Sequence, residues 1–209
     1  KKLYIDFDGA YMNATVYING HELGTRPYGY ISFSYDLTPY IEWGKPNVVA
    51  VRVDNAEQPN SRWYSGCGIY RHVWLRKLDP VHVAQWGTYV TTPHVTAQEA
   101  TFSVQTNVEN TTDEAQTITL QTSLIDADGR VVAVAEPASL TLDAHAITAT
   151  TQSLTLATPR LWSVDAPYLY RACTELIAPD GRLLDTYTTT TGARFFRFDA
   201  EEGFSLNGQ

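Results

Sequence analysis

Cysteine is nearly absent: Cys67 and Cys173 are the only two in 209 residues. That is too few for a disulfide framework, and they lie too far apart for the close Cys spacing of a structural zinc site. A bridge between them would have to join what read as different domains, so two buried free thiols are expected and the redox compartment stays open. Cations are scarce as well. Fifteen Lys and Arg stand against 23 Asp and Glu, giving a formal charge of −8. Without a basic cluster the chain has no means of neutralising phosphates, which excludes a nucleic-acid partner. No apolar run approaches the roughly 18 to 20 residues of a membrane-spanning helix, so no membrane partner is expected. The opening Lys1-Lys2-Leu3-Tyr4 leads straight into strand-like alternation rather than into a signal peptide.

Helical periodicity is weak throughout. Short runs rich in Val, Ile, Thr, Tyr and Phe recur instead between Gly, Pro, Asn and Asp clusters, the pattern of an all-β chain of sandwiches or barrels. With 44% hydrophobic and 18% charged residues, two packed cores are expected. In Ala14-Thr15-Val16-Tyr17-Ile18 alternate residues face opposite sides of a sheet, and Asn19-Gly20 suits the two positive φ angles of a type I′ hairpin. The stretches 47–54 and 69–75 each read as one strand. Near Lys77-Leu78-Asp79-Pro80 a chain dense in Tyr, Trp and Gly gives way to one dense in Thr, Ala and Val, and a domain boundary is placed there. Beyond it, 100–108 and 120–125 read as strands around a polar loop at 110–114. Asp128-Gly129 and Asp180-Gly181 read as hairpin turns. About seven strands in roughly 110 residues is the pattern of an immunoglobulin-like sandwich, here without a Cys-Trp-Cys core. The first segment, 1–78, yields five or six strands where a jelly roll needs eight, so strands are expected before Lys1.

Minimal catalytic motifs are missing. His21, His72, His82, His94 and His145 show no metal-ligand spacing, and there is no Gly-Lys-Ser/Thr phosphate loop, no Gly-x-Ser-x-Gly elbow and no His-Glu-x-x-His. No metal or cofactor is read from the sequence. Asp6, Asp8, Asp36, Asp54 and Glu57 could in principle supply a glycosidase pair, but solvated acids at turns and strand ends are the expected reading. The most informative stretch is the long polar loop within 54–71, which brings Asn60, Arg62, Trp63 and Tyr64 together. Aromatic faces pack on the apolar C–H faces of a pyranose while Asn and Arg hydrogen-bond its hydroxyls. The same residues could equally wedge the loop against a neighbouring domain. Tyr28, Tyr30, Phe33, Tyr35, Tyr40 and Trp43 are expected to pack in sheet and core, as aromatic strand residues do.

Phe7-Asp8-Gly9-Ala10-Tyr11, the Asn19-Gly20 hairpin, Gly29-Tyr30 and Asp36-Leu37-Thr38 resemble the second half of the sugar-binding jelly roll of glycoside hydrolase family 2. That family includes β-galactosidases, β-glucuronidases and β-mannosidases. Ser61-Arg62-Trp63-Tyr64-Ser65-Gly66-Cys67-Gly68-Ile69-Tyr70-Arg71-His72-Val73-Trp74-Leu75 resembles the segment that closes this domain in galactosidase-like members. Pro159-Arg160-Leu161-Trp162 and Pro167-Tyr168-Leu169-Tyr170 resemble the end of the family's immunoglobulin-like domain. Gly192-Ala193-Arg194-Phe195-Phe196 and Gly203-Phe204-Ser205-Leu206-Asn207-Gly208 resemble the approach to its catalytic (β/α)8 barrel.

The resemblance implies an incomplete jelly-roll sandwich over 1–78, an immunoglobulin-like sandwich over 79–193, and the start of a linker into a barrel over 194–209. It implies a parent enzyme that retains configuration, with two catalytic carboxyl groups roughly 5 to 5.5 Å apart on barrel strands. Neither catalytic glutamate has a counterpart here, so this stretch is expected to be inactive alone. Its expected role is to support the barrel and shape the entrance for a terminal β-glycoside, most simply a galactoside, with Asn60, Arg62, Trp63 and Tyr64 at the rim. Some members carry a carboxylate near Arg62, and that role cannot pass to an arginine. A homo-oligomer is compatible with the resemblance, and a periplasmic or secreted location is the one it leans toward. Two other readings stay open: a free-standing carbohydrate-binding module with an immunoglobulin-like spacer, and a structural scaffold in which Trp63 and Tyr64 only pack.

Overall fold

A computed structural model describes residues 1–57 and 66–209. The chain folds into two compact units, Lys1–Leu78 and Asp79–Gln209. Strands dominate both, and the one helical piece among the described residues is a 3₁₀ turn at Thr38–Tyr40 with Pro39 at its start. No helix among them is long and apolar enough to cross a membrane.

The first unit contains β1 (Lys2–Phe7), β2 (Ala10–Tyr11), β3 (Ala14–Ile18), β4 (His21–Arg26), β5 (Phe33–Asp36), β6 (Val49–Arg52), β7 (Gly68–Ile69) and β8 (Val73–Leu78). Two three-stranded antiparallel sheets, β5-β1-β8 and β4-β3-β6, form its layers, and β2 and β7 add a short pair. The strand period of two turns Ile5 and Phe7 of β1 and Val16 and Ile18 of β3 into one core, which Phe33 and Leu37 complete. Phe7 stands directly opposite Phe33, and their rings stack 4.9 Å apart. This is an incomplete jelly-roll sandwich.

The β3–β4 hairpin forms as the sequence predicts: Ile18 pairs with His21 across Asn19 (φ 49°) and Gly20 (φ 83°), two left-handed residues in the type I′ pattern. Asn19 does more than tolerate that φ. Its side chain donates to the Tyr40 carbonyl and to Asn47 Oδ1, both at 2.8 Å, and accepts from the Val48 amide at 2.9 Å. The strand read over 47–54 is limited to Val49–Arg52. The strand read over 69–75 is broken in two, because Gly68–Ile69 pairs with β2 whereas Val73–Leu78 pairs with β1. Between them the Tyr70 hydroxyl donates to the Gly29 carbonyl (2.8 Å) and the His72 carbonyl accepts from the Asp8 amide (3.0 Å), which carries the chain from one pairing to the next.

The second unit contains β9 (Val81–Val95), β10 (Glu99–Asn110), β11 (Gln116–Ile125), β12 (Val131–Val134), β13 (Ala138–Leu142), β14 (Ile147–Ala157), β15 (Tyr170–Ile177), β16 (Leu183–Thr191), β17 (Phe196–Asp199) and β18 (Gly203–Leu206). One sheet runs β14-β10-β9 and the other β12-β11-β15-β16, with β13 also on β11. Since β12 pairs with 123–125 and β13 with 116–120, the two follow one another along a single edge. The result is a sandwich of three strand positions against four, the immunoglobulin-like arrangement.

Its interior holds two apolar clusters. Phe102, Val104, Leu124, Leu154 and Tyr170 lie in one, and Val83, Val108, Ile118, Leu120, Leu142 and Leu176 in the other. Asn110, fully buried, donates to the Glu114 and Asp143 carbonyls (2.8 and 3.0 Å) and accepts from the Thr112 amide and hydroxyl. It thereby satisfies the backbone of the polar loop read at 110–114. Gly129 and Gly181, each at φ 84°, close the two hairpins read at Asp-Gly. Both cysteines are free, Cys67 exposed and Cys173 half-buried. Neither is the fully buried thiol expected, because β7 lies in a short peripheral pair and Cys173 lies between core and surface in β15.

Candidate functional site

The residues expected at a sugar-contacting rim, Asn60, Arg62, Trp63 and Tyr64, fall within 58–65 and lie outside the described residues. The roots of that loop are described, and both rest on the segment Tyr11-Met12-Asn13. On one side the Asp54 amide donates to the Met12 carbonyl (3.0 Å) and Asn13 Nδ2 donates to the Asp54 carbonyl (3.2 Å). The Asp54 carboxylate takes Arg52 at 2.7 Å and the Ala56 amide at 3.1 Å. On the other side Gly68 pairs with Tyr11.

Tyrosines gather at this root. The rings of Tyr11 and Tyr30 lie 5.2 Å apart and those of Tyr28 and Tyr30 5.7 Å apart, while Arg71 approaches the ring of Tyr70. Two glycines make the gathering possible. A Cβ on Gly29 would come within 2.3 Å of the Tyr11 ring, and one on Gly9 within 2.6 Å of the Tyr70 ring. Tyr28, Tyr30 and Tyr70 remain exposed, so the cluster offers aromatic faces and phenolic hydroxyls to solvent, chemistry suited to sugar C–H faces and hydroxyls. This corrects the expectation that Tyr28, Tyr30, Tyr40 and Trp43 pack in the core. Only Phe33 of that run is fully buried, because a four-residue strand can send just part of the run inward. Tyr35 is partly buried; burial raises its hydroxyl pKa, with Arg26 opposing and Glu22 reinforcing. Reading the sequence alone missed Tyr11 and Tyr70, and the usable signal was the pair of glycines that give their rings room.

Asp6, Asp8 and Asp36 are engaged locally. Asp6, buried, is paired with Arg76, which also lies 5.1 Å from the centre of the Tyr4 ring. Asp8 accepts from Trp74 Nε1 at 3.0 Å, and Asp36 takes Lys2 at 3.0 Å and the Thr38 amide at 2.8 Å. Burial pushes the Asp36 carboxyl upward, but the hydrogen bonds from Thr38 and Lys2 outweigh it and hold the pKa below its ordinary value.

The second unit carries a cleft of about 720 Å³ lined in part by Tyr89, Trp162, Leu169, Gly192, Arg194 and Phe196. The Arg194 guanidinium lies 4.8 Å from the centre of the Trp162 ring, within cation–π range. Gly192 is required beside that ring, since a Cβ there would stand 2.8 Å from Trp162 Cβ. Leu161 bridges to Ala193, and the Trp162 amide donates to the Ala193 carbonyl at 2.9 Å. Two segments about 30 residues apart in sequence are thus laid side by side. The β17–β18 hairpin is fastened to the same place by Asn207. Its Nδ2 donates to the Trp162 carbonyl (2.9 Å), its amide to the Phe195 carbonyl (2.8 Å), and its Oδ1 accepts from the Phe195 amide (3.1 Å). Phe196, Phe198 and Phe204 of the hairpin touch one another, yet are 60%, 74% and 58% exposed.

The family model of glycosyl hydrolases family 2 matches residues 81–194, more than half of the chain. The chain belongs to glycosyl hydrolase family 2. Over 205 residues this family 2 chain is 54% identical to a β-galactosidase of Bacteroides ovatus, covering 98% of the chain and 24% of that protein. The crystal structure of a family 2 member from Bacteroides cellulosilyticus superimposes with a TM-score of 0.96 at 39% identity, over 100% of the chain and 28% of its counterpart. The β-glucuronidase of Bacteroides uniformis gives a TM-score of 0.89 at 34% identity, over 100% and 26%. The family 2 chain therefore spans about a quarter of the length of the relatives it matches.

Proposed function

We propose that this chain supplies non-catalytic accessory domains of a retaining exo-β-glycosidase, β-galactosidase-like, that hydrolyses terminal β-glycosides. Residues 1–78 are the C-terminal part of a sugar-binding jelly roll, 79–193 an immunoglobulin-like sandwich, and 194–209 the start of a linker into a (β/α)8 barrel that carries both catalytic glutamates. The observation that supports this most directly is one of extent. A relative 54% identical across nearly the whole chain is a β-galactosidase, and the chain accounts for only 24% of it. The exposed phenylalanine face of 196–204 gives the catalytic domain an apolar seat. Asn60, Arg62, Trp63 and Tyr64 are assigned to the rim that shapes the substrate entrance. Galactoside is preferred over glucuronide because the Bacteroides ovatus β-galactosidase shares 54% of its residues with the chain, against 39% for a putative β-glucuronidase of Formosa agariphila and 34% for the β-glucuronidase of Bacteroides uniformis.

Hydrolysis of chromogenic β-galactoside, β-glucuronide and β-mannoside by the 209-residue chain, beside a polypeptide extended through a following barrel, tests this. Activity confined to the longer polypeptide, and to the galactoside, is the expected result. Activity in the 209-residue chain would overturn the accessory role. Glucuronidase activity in the longer polypeptide would overturn the choice of sugar. Silence in both would transfer the assignment to a binding module or scaffold.

A further inference from the structure

The cleft of about 720 Å³ in the second unit has the size of a small-molecule site, roughly 300 to 1,000 Å³. Its charge runs against that of the chain. There are 23 Asp and Glu and a formal charge of −8, yet Arg194 alone among the described residues lining the cleft is charged. Its guanidinium lies on the Trp162 ring and donates to no side chain or carbonyl among the described residues. The ring beneath it is fixed from several directions. The Trp162 amide donates to the Ala193 carbonyl and the Trp162 carbonyl accepts from Asn207 Nδ2, both at 2.9 Å, and Gly192 packs so closely that a Cβ there would stand 2.8 Å from Trp162 Cβ. A guanidinium held on a ring face still carries its planar fork of N–H donors at its edge, a match for the two oxygens of a carboxylate.

The rest of the lining suits a ring that bears hydroxyls. Tyr89 is 66% exposed and offers both an aromatic face and a phenol. Thr91, Thr190 and Thr191 also line the cleft, and their hydroxyls bond to no protein group among the described residues; that of Thr92 is engaged by the Arg194 carbonyl at 2.6 Å. We propose that this cleft binds a carboxylate-bearing pyranose, a uronate residue of a glycan. Its carboxylate lies on Arg194, its apolar C–H face on Tyr89 and its hydroxyls on the three threonines. A simple carboxylate ion would leave most of 720 Å³ to water, and a neutral sugar would leave the guanidinium without a counter-charge. All these residues belong to the second unit, so the assignment stands independently of the accessory role proposed above.

Isothermal titration calorimetry of the 209-residue chain with sodium glucuronate, galactose and sodium acetate, at matched ionic strength, tests this. Glucuronate is expected to bind at least about tenfold more tightly than either of the others, because only it combines a charged hydrogen bond with contacts to a sugar ring. Arg194→Gln should weaken glucuronate binding at least about tenfold, and Tyr89→Ala about fivefold. Both side chains are exposed, so an unchanged urea midpoint shows that each variant is folded. Equal affinity for acetate would reduce the cleft to an anion contact, and equal affinity for galactose would remove the role of Arg194; either overturns the proposal. Absence of heat with all three, or glucuronate binding that neither substitution moves, would overturn it as well. In a polypeptide extended through a following barrel the part of glucuronate binding that depends on Arg194 should persist, and its loss there would overturn the proposal by assigning the cleft to contact between domains.

Discussion

At the scale of single residues, several side chains hold backbone that has no other partner in the sheet ladders. The Tyr170 hydroxyl accepts the Arg160 amide at 2.9 Å while its ring is buried against Phe102. Burial raises the phenol pKa and the Arg160 amide partly opposes the rise. Tyr170→Phe keeps the ring and strands the amide, so a loss of about 1 to 3 kcal/mol in urea-unfolding stability is expected; an unchanged midpoint would mean the amide finds water instead. Gly29→Ala tests the tyrosine cluster, because its Cβ would meet the Tyr11 ring at 2.3 Å and Tyr11 Cα at 3.1 Å. Overpacking of this kind costs about 1 to 3 kcal/mol, and the near-ultraviolet circular dichroism of the tyrosines should change with it. Asp36 adds a pH dependence. Its pKa is lowered in the folded state, burial being outweighed by hydrogen bonds from Thr38 and Lys2, so its contribution is complete above 3.8 and drains away as pH falls through the lower folded value. Asp36→Asn should therefore be the less stable protein at neutral pH, and the gap in unfolding midpoint should close as the solution is acidified below 3.8. A gap that persists at low pH would trace to packing instead.

At the scale of elements, the hairpin β17–β18 depends on one asparagine. Asn207 sits at φ 53°, a conformation Asn tolerates better than most residues. From there it bonds both the Trp162 carbonyl and the Phe195 backbone. Asn207→Ala should release the hairpin without unfolding the sandwich, seen as faster amide exchange confined to 195–206; uniform exchange throughout the second unit would show a wider role. Elements of this kind were legible where local chemistry is decisive. Asn19-Gly20 announced its turn because few other pairs accept two left-handed residues, and the alternation over 100–108 announced β10. The break in 69–75 was not legible. Val, Ile and Trp carry the same strand preference on either side of it, and what divides β7 from β8 is a bond from Tyr70 to Gly29, 41 positions away. The tyrosine cluster was hidden for the same reason. Its members come from β2, from the residues before β5 and from the residues after β7, and it takes the register of β2 against β7 together with the Tyr70–Gly29 and Asn13–Pro27 bonds to bring them together.

At the scale of the whole chain, the two units differ in how completely each encloses its own core. The second has a sandwich of three strand positions facing four, with both apolar clusters covered by its own residues. In the first, Val49, Val73 and Leu75, which oppose core residues, are 42%, 43% and 66% exposed. That contrast was half legible. Strand counting read five or six strands in 1–78, where the structure has eight segments, two of them only a short pair, and which core-facing residues stand exposed required the pairing of Ile5 with Leu75 and of Ile18 with Val49. Each buried methylene is worth about 0.8 kcal/mol, so an uncovered valine and leucine row weakens a unit of 78 residues more than it would a larger one. A polypeptide of residues 79–209 alone should therefore fold, with a single cooperative urea transition and the near-ultraviolet spectrum of packed aromatics. Residues 1–78 alone should unfold at lower urea or associate. If 79–209 instead lost its cooperative transition on separation, the stability of the immunoglobulin-like unit would have to come from the first, and the closed core described by Phe102, Leu124 and Leu154 would not be sufficient to hold it.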